Sequence, residues 1–121
     1  MTPVALHLHS LTFDATDPPA LAQFWAAVMG YDLGQVSPFF AELTGDGRFG
    51  PRLMFIKVPE GKSAKNRFHP DLGTVDLEPE VERVVGLGAT LVGRREEWGA
   101  TWATLADPEG NEFCIGLHQP S

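Results

Sequence analysis

The sequence predicts an α+β fold in which two tandem βαβββ modules form a curved mixed sheet around a cleft. Three observations predict it. The order strand, helix, several strands occurs twice along the chain. Each helix is opened by an aspartate and followed by a glycine. The halves also align at a nearly constant offset: Ser10 and His69, Asp17 and Asp76, and Phe55 and Cys114 lie 59 residues apart, and Gly30 and Gly88 lie 58 apart. One module alone would leave a sheet face bare, so two side by side are the economical arrangement.

In chain order, Leu6 to Asp14 reads as a strand, with Leu11 and Phe13 facing one way and Ser10 and Thr12 the other. Asp17-Pro18-Pro19 starts a helix, with Asp as N-cap and Pro in the first turn. Leu21, Phe24, Trp25 and Val28 form its apolar stripe, and Gly30 ends it. Phe39 to Leu43 is a strand, whereas Leu33 to Pro38 has no clear period. Gly45-Asp46-Gly47 and the residues to Gly50 read as a hairpin turn. They have neither the spacing of a phosphate loop nor a following helix. Arg52 to Val58 is the next strand.

Residues 59–66 are polar and glycine-bearing and read as a linker between module one (about 5–58) and module two (about 67–118) of a single domain, 1–121. Arg67 to Val75 is read as a strand and Glu78 to Gly88 as a helix with Val81, Val84 and Val85 on one face. Ala89 to Val92, Ala100 to Leu105 and Asn111 to Leu117 are read as strands. Asp107-Pro108-Glu109-Gly110 is turn chemistry: Pro presets φ and Gly tolerates the left-handed region. Beyond it, Phe113, Ile115 and Leu117 alternate with Glu112, Cys114 and Gly116, leaving the second set for a site.

Bulk properties narrow the function. A chain of 121 residues with 43% hydrophobic content has enough apolar residues for a real core. The formal net charge of −7 argues against a nucleic-acid or anionic-membrane partner. No apolar run approaches the ~20 residues of a membrane span. Met1-Thr2-Pro3-Val4 lacks the basic region of a signal peptide, and the single cysteine fits a reducing compartment, so a cytoplasmic location is expected.

The chain resembles the vicinal oxygen chelate superfamily, the glyoxalase I, bleomycin-resistance and extradiol-dioxygenase group. The resemblance rests on Asp17 to Trp25 leading to Met29-Gly30-Tyr31, on Lys65-Asn66-Arg67-Phe68-His69, and on Asp107 to Cys114. It implies a glyoxalase/bleomycin resistance-like fold and a homodimer. In metal-dependent members four inward positions hold a divalent ion, one in the first and one in the last strand of each module. They fall on Ser10, Phe55, His69 and Cys114. His69 alone keeps the usual ligand type, so no metal cofactor is expected. Any ion would be held by His69 and Cys114, with Glu112 or Asp71 as third donor.

The expected function is therefore binding of a small apolar or aromatic molecule in the cleft, by Ser10, Phe55, His69, Trp102, Glu112 and Cys114, without the usual metal site. The alternative is a lyase, isomerase or dioxygenase built around His69, Cys114 and Glu112. Cys114 with His69 as base is a further candidate nucleophile, set against a small buried thiol. His7 and His9 form a His-x-His that could chelate, but they share the face of Leu11 and Phe13. Trp98, Phe39 and Phe40 are cavity or core residues, and Trp25 belongs to the core. The lysines and arginines around the linker could attract an anion to one rim of the cleft.

Overall fold

The computed structural model describes residues 8–45, 51–97 and 99–118. In chain order its elements are β1 (Ser10–Ala15), α1 (Pro18–Met29), β2 (Asp32–Val36), β3 (Phe40–Thr44), β4 (Arg52–Lys57), β5 (Asp71–Thr74), α2 (Leu77–Gly86), β6 (Thr90–Glu97), β7 (Ala100–Ala106) and β8 (Glu112–Leu117). The chain divides into two compact units between Glu60 and Gly61. Each is a βαβββ module with a four-stranded mixed sheet, ordered β1-β4-β3-β2 in the first and β5-β8-β7-β6 in the second. Within each, the first and last strands pair in parallel and the other neighbours are antiparallel. This is the expected α+β fold.

In the first unit, α1 starts where Asp17 Oδ1 accepts a hydrogen bond from the Ala20 amide at 3.3 Å. Pro18 and Pro19 follow, where a helix has no use for an N–H. Gly30 closes the helix at φ 69°, the left-handed cap that an L side chain resists. The predicted stripe Leu21, Phe24, Trp25 and Val28 is buried, together with Ala41 and Leu43 of β3 and Leu53 and Phe55 of β4. Phe13 stacks on Phe55 at 5.0 Å and tilts against Trp25 at 5.4 Å.

In the second unit, α2 buries Leu77, Val81 and Val84. Ala103, Leu105, Phe113 and Ile115 supply the sheet side of that core. Val85 is exposed, so the apolar stripe is narrower than expected. Asp76 holds the N-cap position without a side-chain bond to the helix, and its own amide donates to Thr74 Oγ1 at 3.1 Å. Glu78 and Glu80 in the first turn favour the positive end of the helix.

Several boundaries differ from the expected ones. β2 was not legible because all five of its residues are exposed and its pairing shifts register between Leu33 and Val36. A bulged edge strand has no buried face to impose a period of two. β6 extends to Glu97, past a similar irregularity between Leu91 and Gly93. β5 begins only at Asp71, so Arg67–Pro70 is irregular. Residues 46–50, the expected hairpin turn, lie outside the described residues, as do His7 and Trp98. Among the described residues, no helix is long and apolar enough to cross a membrane.

The internal repeat needs one correction. Ser10 pairs with Arg52 and Asp71 with Cys114, which keeps β1 and β5 in step at the 59-residue offset. The burial patterns of β4 and β8, however, match as Leu53 with Phe113, Met54 with Cys114, and Phe55 with Ile115, an offset of 60. One residue is gained between the first and last strands of the module. Side chains alternate across a strand, so that single residue moves Phe55 to the face opposite the one Cys114 occupies. Phe55 is 0% exposed and packs the helix-covered core. The position equivalent to Cys114 is Met54.

Candidate functional site

The face of the second sheet away from α2 carries a hollow of about 480 Å³. Alternation in β8 presents Glu112, Cys114 and Gly116 to it while Phe113 and Ile115 turn into the core. Trp102 and Thr104 of β7 do the same, and β5 adds Asp71 and Leu72.

The entry to β8 is held by Asp107, the one buried polar or charged residue among the described residues, at 3% exposure. Its Oδ1 accepts hydrogen bonds from the amides of Glu109 and Asn111, both at 2.9 Å, and from Asn111 Nδ2 at 3.2 Å. Its Oδ2 accepts from Asn111 Nδ2 at 3.0 Å. Gly110, at φ 90°, completes the turn. The Asp-Pro-Glu-Gly-Asn stretch thus fixes where Glu112 and Cys114 point.

Three side-chain pairs shape the hollow. Lys65 Nζ lies 2.6 Å from Glu112 Oε1. Asn66 Oδ1 accepts from the Glu112 amide at 3.3 Å, so the segment before β5 is tied to β8 by two adjacent residues. The Lys65 hydrogen bond is the main cause holding the Glu112 carboxyl below its ordinary value. Partial burial opposes it, and the charges of Lys65, Lys62 and His69 add to it. His69 Nε2 lies 3.2 Å from Asp71 Oδ1. Thr104 Oγ1 and Cys114 Sγ are 3.3 Å apart. The Cys114 amide donates to Pro70 O at 3.0 Å, which fixes the thiol beside the His69–Asp71 turn. One donor atom each of His69, Asp71 and Cys114 lies within 4.8 Å of the other two.

Of the six residues expected to bind a ligand, four line this hollow: His69, Trp102, Glu112 and Cys114. Ser10 and Phe55 belong to the first unit. Ser10 is partly exposed at the start of β1 opposite Arg52, and Phe55 is core. His9 is exposed and precedes β1. Phe39 lines a separate hollow of about 560 Å³ in the first unit, beside Val36, Pro38 and Lys57. The reading of the sequence missed His118. Its ring lies against Gly73 and Gly116, where a Cβ on either glycine would come within 2.9 Å and 3.2 Å of it. The signal was present: residue 118 continues the parity of 112, 114 and 116.

The donor set does not fit the four-ligand ion that the resemblance implies. The first module offers a hydroxyl at Ser10 and a thioether at Met54. The Met54 sulfur already accepts from Arg52 Nη2 at 3.1 Å, and Arg52 is paired with Glu42 at 3.2 Å. Neither donor suits a hard divalent ion.

Comparison with known proteins agrees with the fold. The family model described as a glyoxalase-like domain matches residues 10–116. No curated protein matches the chain. A glyoxalase/bleomycin resistance protein/dioxygenase family enzyme from Burkholderia phytofirmans PsJN superposes with a TM-score of 0.74 at 22% identity, over 88% of this chain and 94% of that one. A bleomycin-binding protein complexed with bleomycin gives 0.65 at 18%, over 95% and 100%. Lactoylglutathione lyase from Agrobacterium tumefaciens gives 0.66 at 17%, over 94% of each chain. These likenesses establish a common fold, and a fold hosts many chemistries. With the family model spanning nearly all of its length, the chain belongs to the glyoxalase-like domain family.

Proposed function

We propose that this protein binds a small apolar or aromatic molecule in the hollow of its second module, without the four-ligand metal site of metal-dependent relatives. The observation that carries the reading is the composition of the hollow. Trp102, Leu72 and Leu117 offer apolar surface, and Lys65, His69 and Glu112 stand among them as polar groups that can fix orientation. The bleomycin-binding neighbour makes small-molecule capture a natural use of the scaffold. The wider reading is a cytoplasmic homodimer. The single cysteine supports the compartment, and the family resemblance supports the dimer.

The test is a thermal-shift and Trp-fluorescence panel of aromatic and heterocyclic metabolites on metal-stripped protein. A ligand at about a hundred times its Kd adds roughly 2.7 kcal/mol, a shift of several degrees for a domain of this size. Binding that Trp102→Ala abolishes supports the reading. A panel in which every hit requires an added divalent ion overturns it. Turnover of a hit, lost in His69→Ala, would instead favour a lyase, isomerase or dioxygenase built on His69, Cys114 and Glu112. The meeting of His69 and Cys114 in one hollow is what favours that second reading.

A further inference from the structure

We infer that the backbone of Gly73 and Gly116, with Trp102 beside it, is the seat for the ligand's aromatic ring, and that the His118 ring fills this seat until a ligand displaces it. The inference rests on the small-molecule reading above and narrows the ligand to a flat nitrogen heteroaromatic of one or two rings.

Strand register sets Gly73 opposite Gly116 and Gly116 opposite Trp102, so the three form one row across β5, β8 and β7. Directly opposed residues share a sheet face. Gly116, Trp102 and His118 all line the hollow of about 480 Å³. Beside the indole there is therefore a strip of bare backbone two strands wide, the strands about 4.8 Å apart. Asp71, Cys114 and Thr104 form the next row on the same face.

Glycine inside a strand marks a bulge, a bend or a close approach. The β5–β8 and β7–β8 registers run without a shift through both glycines. Neither has a left-handed backbone, which among the described glycines is found at Gly30, Gly88, Gly99 and Gly110. Close approach remains. A Cβ on Gly73 would meet His118 Cδ2 at 2.9 Å and Cγ at 3.4 Å. A Cβ on Gly116 would meet His118 Nε2 at 3.2 Å, Cδ2 at 3.5 Å and Trp102 Cβ at 3.8 Å. The imidazole thus spans both glycines, with Trp102 next in the row.

The present occupant is replaceable. His118 is exposed and follows Leu117, the last residue of β8. Its amide donates to Thr74 O at 2.7 Å, which pins the backbone and leaves χ1 and χ2 to swing the ring into solvent. An incoming ring regains the backbone contacts and adds an aromatic contact with the indole. A five-membered ring fits where the imidazole lies, and a fused second ring reaches the neighbouring strand that carries Trp102. The Asp71 carboxylate and the Thr104 hydroxyl of the next row, both lining the hollow, offer partners to ring nitrogens. Apparent affinity is reduced by the fraction of molecules in which His118 has vacated the seat.

Benzimidazole is the probe, titrated into the full chain and followed by the ring resonances of Trp102 and His118. In the unmutated protein it should bind weakly and move the His118 resonances towards those of a free histidine. His118→Ala should tighten binding by roughly tenfold, the factor for a seat filled about nine-tenths of the time. In the His118→Ala background, Gly73→Val and Gly116→Val each put a side chain into the seat and should weaken the probe by at least that factor. Valine suits a strand, and thermal melting checks the fold. Should a valine variant not melt cooperatively, the comparison of His118→Ala with the unmutated chain still decides. Equal affinity of those two proteins overturns the inference, as does binding to His118→Ala that neither valine weakens, or no binding to His118→Ala at all. Binding that Trp102→Ala abolishes and His118→Ala leaves unchanged removes the seat alone, and the small-molecule reading stands. That reading fails separately, on the ion dependence of the metabolite panel.

Discussion

Lys65 and Glu112 are joined at 2.6 Å across 47 residues of sequence, between the segment that precedes β5 and the first residue of β8. The pair lies on the rim of the hollow, and Asn66 adds a second tie to the Glu112 amide. The contact has a consequence for acid behaviour. The carboxyl is held below its ordinary 4.5, chiefly by the Lys65 hydrogen bond. A lowered folded-state value means that the pair's stabilisation is fully present above about pH 4.5 and is lost as pH falls through the lowered value. Lys65→Met should return Glu112 towards 4.5 and flatten the acid limb of the stability curve. A carbon-detected NMR titration of Glu112 that does not move would contradict the assignment.

Asp107→Ala removes the carboxylate that accepts from the Glu109 and Asn111 amides and the Asn111 side chain. We expect a loss of roughly 2–4 kcal/mol, because buried donors are left unpaired. Urea unfolding measures it. A loss no larger than that of a surface substitution would show that the turn holds itself without the side chain.

Phe55→Ala should cost about 3–5 kcal/mol, the usual penalty for emptying a buried aromatic position. Met54→Ala, on the opposite face of β4 and only partly buried, should cost much less. Equal losses for the two variants would undo the 60-residue alignment of β4 with β8.

Gly73→Ala places a Cβ 2.9 Å from His118 Cδ2, so the exposed imidazole must swing away. Because alanine restricts the unfolded chain more than glycine, stability should change by less than about 1 kcal/mol. The His118 ring resonances should shift, together with those of nearby Trp102. An unchanged His118 signal would place the ring elsewhere.

The sequence by itself determined the architecture. The Asp17 cap, the Leu21–Val28 stripe, the Asp107 turn and the Phe113/Ile115 alternation are local features whose physical meaning needs no partner. They set the first helix and the site-bearing face of β8. The sequence also brought His69, Trp102, Glu112 and Cys114 forward, because chemistry-bearing side chains on an otherwise apolar strand stand out. Tertiary structure decided the rest. Phe55 could not be placed from a repeat offset, since the second module has one residue more than the first between its first and last strands, and that residue inverts the equivalence of β4 with β8. β2 left no pattern because an exposed edge strand buries neither face. Asp71 rather than Glu112 became the neighbour of His69 and Cys114, because the parallel register of β5 with β8 sets Asp71 opposite Cys114 and Lys65 engages Glu112 at the rim. Composition and period record which side chains are buried. Which of them meet is set by strand register, and register comes from pairing between segments far apart in the chain.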